Sequence, residues 1–89
     1  MLVATVVRVD NSIVVDETEI RSQPANRGSG ERLIWRGSFS VPTDGLRPTV
    51  GETIYLLLDD DSKAQAVVTE LDGPEVHFRA SGLMPKPNR

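Results

Sequence analysis

Apolar and polar residues alternate with a period of two over several segments of the chain. In residues 32–41, one face of the alternation collects the apolar residues Leu33, Trp35, Phe39 and Val41. Residues 75–81 repeat the pattern, with Val76, Phe78 and Ala80 on the apolar side. Because successive side chains of a strand point to opposite faces, both segments are predicted to be strands with one buried face.

The first twenty residues predict a hairpin. Residues 3–9 are largely β-branched and nearly continuous in apolar character, which is typical of a strand buried on both faces. Asp10 and Asn11 form a turn pair, and residues 12–20 return as a second strand with Ile13 and Val15 facing inward. A further apolar run, Ile54–Leu58, predicts another strand.

Residues 62–71 fit two structures. Ser62 and Gln65 match a helix capping box, and Ala64, Val67, Val68 and Leu71 follow helical spacing. Against the helix, residues 67–69 are β-branched, and Asp59–Ser62 and Asp72–Gly73 are typical of hairpin turns. A helix here would also require a parallel crossover in a chain otherwise built from hairpins, so a strand is preferred.

These elements predict an all-β fold, a small six-stranded antiparallel barrel or strongly curled sheet. The alternative is an α+β fold with a short helix at 62–71. Residues 1–83 are expected to form a single domain with a flexible loop at 21–31, followed by a disordered tail at 84–89. The predicted core is Val3, Val7, Val15, Leu33, Trp35, Phe39, Leu56, Val68, Val76 and Phe78.

Composition excludes several chemistries. The chain has 89 residues, no Cys and one His, which excludes disulfides, cysteine zinc sites, thiol catalysis and multi-histidine metal centres. The acidic run Asp59–Asp61 lacks the alternate spacing of a calcium loop and is interpreted as a solvated turn. No metal and no cofactor are therefore predicted.

Charge narrows the range of partners. The formal net charge is -3, which argues against nucleic acid as a partner. The apolar run Leu2–Val7 is too short for a signal sequence or a membrane span, so we expect no membrane association and a cytoplasmic location.

One stretch stands out as basic. Arg21, Arg27, Glu31, Arg32 and Arg36 give residues 21–36 a local charge of opposite sign to the whole chain. Glycine lets backbone N–H groups converge on an anion, and flanking arginines add bidentate contacts. The predicted ligand-binding residues are Arg27, Gly28, Ser29, Gly30, Arg32 and Arg36. A plain flexible linker remains the alternative interpretation.

This stretch resembles the arginine-bearing segment of cyclic-dinucleotide-binding PilZ barrels, which are also small and six-stranded. Their motif is Arg-x-x-x-Arg followed by Asp/Asn-x-Ser-x-x-Gly. Arg32 and Arg36 have the first spacing, but no Asp/Asn-x-Ser-x-x-Gly follows Arg36. The chain is not assigned to that family.

No catalytic signature is evident. His77 lies on the predicted outer face between Glu75 and Arg79, without a nucleophile motif, so no enzymatic activity is predicted. We expect a small binding or adaptor module that recognises an anionic ligand or an acidic protein surface through the basic Gly-rich loop. The alternative is a structural or assembly subunit, of phage or secretion type, that pairs strands or apolar surface with other chains. Homo-oligomers are compatible with either function.

Overall fold

Six antiparallel strands close into a barrel. The computed structural model describes residues 1–26, 34–42, 45, 47–82 and 85–89. The strands are β1 (Leu2–Arg8), β2 (Ile13–Asn26), β3 (Ile34–Ser40), β4 (Thr53–Leu57), β5 (Lys63–Asp72) and β6 (Glu75–Ser81). Their order around the barrel is β1-β2-β3-β6-β5-β4, and β4 pairs back onto β1. The predicted all-β fold is confirmed, and β5 decides residues 62–71 in favour of a strand.

Two hairpin turns share one construction. In each, an Asp is followed by a residue with positive φ and then by a Ser whose backbone N–H and hydroxyl donate to the Asp carboxylate. The residues are Asp10, Asn11 and Ser12 between β1 and β2, and Asp60, Asp61 and Ser62 between β4 and β5. The serine hydrogen bonds lower the pKa of the Asp10 and Asp60 carboxyl groups. The predicted turn at Asp59–Ser62 is thus confirmed.

The barrel interior holds the apolar faces of all six strands. Trp35 packs edge-on against Phe78, with ring centroids 5.5 Å apart, and Phe39 lies on the other side of Phe78 at 6.0 Å. The apolar face predicted for each of the two segments, 32–41 and 75–81, is therefore the buried face in the residues described. The other members of the predicted core that are buried are Val3, Val7, Leu56, Val68 and Val76. Leu33 lies outside the described residues.

Two predictions about β2 were wrong: where the strand ends, and which of its side chains face inward. It continues to Asn26, so the first six residues of the predicted loop at 21–31 are strand, paired with β3. Ile13 was predicted to face inward but is 62% exposed, whereas Val14 is buried and Val15 is half-buried. The cause is two register shifts between β1 and β2, which interrupt the strict alternation on which the prediction relied.

The connection between β3 and β4 is anchored at one end of the barrel. The N–H of Val41 donates to Pro74 O, and the N–H of Gly51 donates to Val68 O. Pro48 is fully buried between these anchors. The connection therefore returns the chain across the barrel to β4, which then pairs with β1 and β5 on its two edges.

The end of the chain lies against β1. The structure places residues 85–89 there, where Asn88 bonds to Val3 and both Asn88 and Arg89 bond to Met1. This differs from the disordered tail predicted at 84–89, of which 84 lies outside the described residues. The two prolines at 85 and 87 suggested fraying, but the polar groups of the last two residues find partners on an open strand edge.

Candidate functional site

Arg36 is the one predicted ligand-binding residue that the structure describes. It is exposed on the outer face of β3, since Trp35 and the half-buried Gly37 turn toward the interior. The other five, Arg27, Gly28, Ser29, Gly30 and Arg32, lie in residues 27–33, outside the described residues. Whether they act together with Arg36 stays a prediction.

A second arginine lies directly opposite Arg36. In the pairing of β3 with β6, Arg36 is the cross-strand partner of Arg79, and both side chains are exposed. Directly opposed residues of an antiparallel pair have Cβ atoms roughly 5 Å apart, and two like charges there destabilise the sheet. Within the described residues, neither arginine makes an ion pair. Two positive charges therefore lie side by side at this position of the sheet.

The arginine pair borders a groove, called here the β3–β6 groove. Its volume is about 430 Å³. It is lined by Arg21, Ser22, Arg36, Gly37, Ser38, Thr69, Glu70, His77 and Phe78. A smaller recess of about 250 Å³, lined by Arg36, Thr69, Phe78 and Arg79, adjoins it. The groove crosses four neighbouring strands, because Arg21, Ser38, His77 and Glu70 are paired in one row.

Gly37 allows the sheet to close tightly beside the groove. A Cβ atom at this position would lie 2.5 Å from Phe78 Cζ and 2.8 Å from Arg21 O. The ring of Phe78, the cross-strand partner of Gly37, therefore covers the space that a larger side chain would need. The pairing of a glycine with an aromatic residue holds β3 against β6 at the position next to Arg36 and Arg79.

One end of the groove is already neutralised. Glu75 forms an ion pair with Arg21, and its other carboxylate oxygen lies 3.5 Å from His77 Nε2. Ser38, between Arg21 and His77 in the same row, is only 8% exposed. Glu75 thus balances Arg21, while Arg36 and Arg79 lie one row further along the strands, about 7 Å away in backbone terms.

A bulge in β5 forms the side of the β3–β6 groove that Thr69 and Glu70 line. The register between β5 and β6 shifts between Val68 and Glu70, so Thr69 has no cross-strand partner. Val68 faces the core, and strict alternation would turn the carboxylate of Glu70 inward as well. The bulge instead leaves both Thr69 and Glu70 exposed at the groove.

The groove is lined by charged and polar groups. It offers guanidinium groups, hydroxyl groups of Ser38 and Thr69, the carboxylate of Glu70, and the His77 imidazole, whose Nε2 lies 3.5 Å from a Glu75 oxygen. Within the described residues, no cluster of three His, Asp or Glu side chains forms that could hold a metal ion. Trp35 is buried in the core, so its indole cannot stack on a ligand here.

Sequence reasoning missed Arg79 and the bulge. The alternation in residues 75–81 already places Arg79 on the polar face, but its position opposite Arg36 depends on the β3–β6 register. That register joins segments about forty residues apart, and no local pattern specifies it.

Searches for relatives identify none. No family model, no curated protein and no solved structure matches this chain. Among the residues described, no helix is long and apolar enough to cross a membrane.

Proposed function

We propose that this chain is a small non-enzymatic binding module for an anionic ligand, and that Arg36 and Arg79 hold the anion. One observation carries the proposal, the direct opposition of these two arginines beside the β3–β6 groove. A phosphate or carboxylate group between them would turn a repulsive pair into two charge-assisted interactions. The ligand would be a phosphorylated small molecule or an acidic group on a protein surface.

Electrostatics favours this location over the rest of the surface. The whole chain has a net charge of -3, so it does not attract anions in general. Arg36 and Arg79 form a local exception, and the hydroxyl groups of Ser38 and Thr69 line the same two recesses. Guanidinium groups present several donors in a fixed plane, which suits the oxygens of phosphate and carboxylate groups.

The anion site proposed at Arg36 and Arg79 would be larger if the basic residues 27–32 also contact the ligand. Arg27 and Arg32 belong to the residues that connect β2 to β3, and Arg36 follows Arg32 by four positions. Additional contacts from Arg27, Gly28, Ser29, Gly30 and Arg32 remain a prediction. Charge reversal at Arg27 and Arg32 tests it separately from the groove.

The experiment is a titration with pyrophosphate, followed by NMR of backbone amides and arginine side chains. Saturable shifts are expected at Arg36 and Arg79 and at the intervening Gly37 amide. Arg36→Ala and Arg79→Ala should each weaken binding about tenfold, which corresponds to about 1.4 kcal/mol.

Lys63→Ala is the matched control. It removes one exposed positive charge from the start of β5, where the ammonium group lies over the Tyr55 ring, away from the groove. This variant should keep the affinity within about twofold, because the change in net charge alone is screened by salt. Equal losses in all three variants, or shifts that map elsewhere on the barrel, contradict the proposal.

A second candidate function is assembly with other chains. Val9 is 65% exposed and Ile13 is 62% exposed, and both lie at the β1–β2 turn. Contact surfaces commonly expose several large apolar side chains. Light scattering across a range of protein concentrations tests this function, which predicts an oligomer that Val9→Ser and Ile13→Thr dissociate. A monomer at high concentration contradicts it.

A further inference from the structure

We propose that the open end of β1 is a second binding site, for an extended peptide that presents a carboxamide side chain followed by a guanidinium. Asn88 and Arg89 of the chain itself occupy this site in the structure. We call it the β1 edge site. It consists of the backbone of Met1 and Val3 and of the carboxylates of Glu17 and Asp59.

The site exists because β4 is shorter than β1. Strand β4 pairs with Thr5–Arg8 and ends at Leu57, so among the strands that the structure describes none covers the same edge of β1 at residues 2–4. Backbone N–H and C=O groups on an open strand edge readily pair with another extended segment. Because β4 is shorter than β1, the backbone of residues 2–4 is left available to pair with an extended peptide.

The side-chain amide of Asn88 takes the place of a strand partner. Its Oδ1 accepts from the N–H of Val3 at 2.9 Å, and its Nδ2 donates to the C=O of Val3 at 2.9 Å. The N–H groups of Asn88 and Arg89 both donate to Met1 O, at 3.1 and 2.8 Å. A carboxamide has the donor and the acceptor that this pairing needs, whereas a carboxylate has only acceptors and an aliphatic chain has neither.

Two carboxylates recognise the neighbouring guanidinium. Arg89 lies 3.2 Å from Glu17 Oε1 and 3.3 Å from Asp59 Oδ2. Glu17 belongs to β2 and Asp59 to the turn between β4 and β5, so the two acids approach from opposite sides of β1. The site thus selects a cation at the position directly after the carboxamide.

Glu17 is positioned by a β-bulge between β1 and β2. Glu17 has φ of 46°, a left-handed conformation that is unfavourable for a residue with a side chain. The register of β1 with β2 shifts at this point, and Thr5 Oγ1 holds the bulge by accepting from Glu17 N and donating to Asp16 Oδ1. The bulge therefore fixes the backbone from which the Glu17 carboxylate reaches Arg89.

The resident segment is exchangeable. Its contacts are a few hydrogen bonds at the barrel surface and ion pairs of an arginine whose side chain is 45% exposed. Residues 85–87 border an open groove of about 470 Å³ beside the β4–β5 turn. Asn88 and Arg89 therefore occupy the site mainly because they are tethered to it, which gives them a high effective concentration, and not because they pack extensively. A free peptide with the same two side chains can compete with them.

The test uses the full chain carrying Asn88→Ala and Arg89→Ala, which vacates the site. The peptide Pro-Lys-Pro-Asn-Arg is titrated in, and the Val3 amide is followed by NMR. Saturable binding is expected in this variant. Binding to the unaltered chain should be at least about tenfold weaker, because the resident segment competes at an effective concentration on the millimolar scale.

Altered peptides separate recognition from general attraction. Replacing Asn by Asp removes the donor to Val3 O, and replacing Arg by Gln removes the cation, so each should weaken binding about fivefold or more. Absence of a saturable Val3 shift with the original peptide, or equal binding of all three peptides, overturns the proposal.

Variants of the site itself give a second measurement that leaves Asn88 and Arg89 intact. Glu17→Gln or Asp59→Asn in the full chain should increase the hydrogen-exchange rate of the Val3 amide several-fold, because the resident arginine is held less often. Asp72→Asn, an exposed acid at the end of β5, is the matched control and should leave this rate unchanged. Unchanged exchange in both site variants contradicts the assigned role of the two carboxylates.

Discussion

The β3–β6 groove and the β1 edge site both depend on arginine, but they treat its charge in opposite ways. At the edge site, Arg89 lies between two carboxylates, and the chain satisfies its own cation. At the groove, Arg36 and Arg79 oppose each other, and the described residues provide neither with an acidic partner. The first arrangement pairs opposite charges, whereas the second places like charges side by side, which costs stability.

The two sites also differ in what supports them. The groove lies on strands that are paired on both sides, next to the buried Phe78, so its arginines start from a rigid backbone. The edge site depends on a short segment held mainly by its last two residues. We therefore expect a preorganised site at the groove and an exchangeable one at the β1 edge.

The largest expected effects concern the packing of Gly37 against Phe78 beside the groove. Gly37→Ala introduces a Cβ that would lie 2.5 Å from Phe78 Cζ and 2.8 Å from the Arg21 carbonyl oxygen. Overpacking of this kind should destabilise the fold by about 1–3 kcal/mol. Urea denaturation measures it as a lower midpoint with an unchanged slope.

A double-mutant cycle checks the cause. Phe78→Ala alone removes a large buried ring and should cost about 3–5 kcal/mol. In that background Gly37→Ala meets only the Arg21 carbonyl, so its penalty should become smaller. If the penalty is the same in both backgrounds, the contact between Gly37 and Phe78 does not limit this position.

This contact also shows where sequence reasoning ends. Alternation alone predicted that Trp35, Phe39 and Phe78 are buried, because the period of a strand is a local property. That Phe78 lies opposite Gly37, and therefore Arg79 opposite Arg36, depends on register between distant strands, which alternation leaves undetermined. The sequence therefore drew attention to Arg36, whereas the groove beside it and the opposition of Arg79 were not predicted.

The edge site was missed for a related reason. Two prolines among the last residues favour an irregular segment, which is correct, but irregular backbone is not the same as an undocked one. Docking of Asn88 requires an open edge on β1, and this edge follows from the unequal lengths of β1 and β4. Strand ends are the least predictable feature of a sequence.

A smaller effect tests how firmly the edge is held. Asn88→Ala removes both hydrogen bonds to Val3 and should lower the free energy of unfolding by about 1 kcal/mol, since water replaces part of the loss. Hydrogen exchange should show the change at the Val3 amide and leave the Gly37 amide protected. Lys86→Ala, which alters the same segment without touching Val3, is the control. A uniform loss of protection across both regions contradicts the separation of the two sites.

A still smaller effect has the opposite sign. Arg79→Glu replaces a like-charge pair by an opposite-charge pair with Arg36, which should stabilise the fold by about 0.2–1 kcal/mol at low salt. The same variant should abolish pyrophosphate binding. Stability gained together with binding lost shows that the arginine pair is maintained for a ligand. A loss of stability instead means that contacts beyond this pair already compensate Arg79.

The smallest effect concerns the turn that carries Asp59. Hydrogen bonds from Ser62 hold the pKa of Asp60 below its ordinary value of 3.8, so Ser62→Ala should raise that pKa toward 3.8. Because the folded-state pKa is depressed, this contribution to stability is complete above the unfolded pKa and fades as the pH falls through the folded value. Titration of the side-chain carboxyl signals by NMR measures the shift.

The twin turn provides the comparison, since Ser12→Ala should shift Asp10 in the same direction. Only the Ser62 variant alters the turn that positions Asp59 beside Arg89, so only that variant should also speed exchange of the Val3 amide. Faster exchange in both variants would mean that general loosening of the hairpins, and not the position of Asp59, controls docking at the β1 edge.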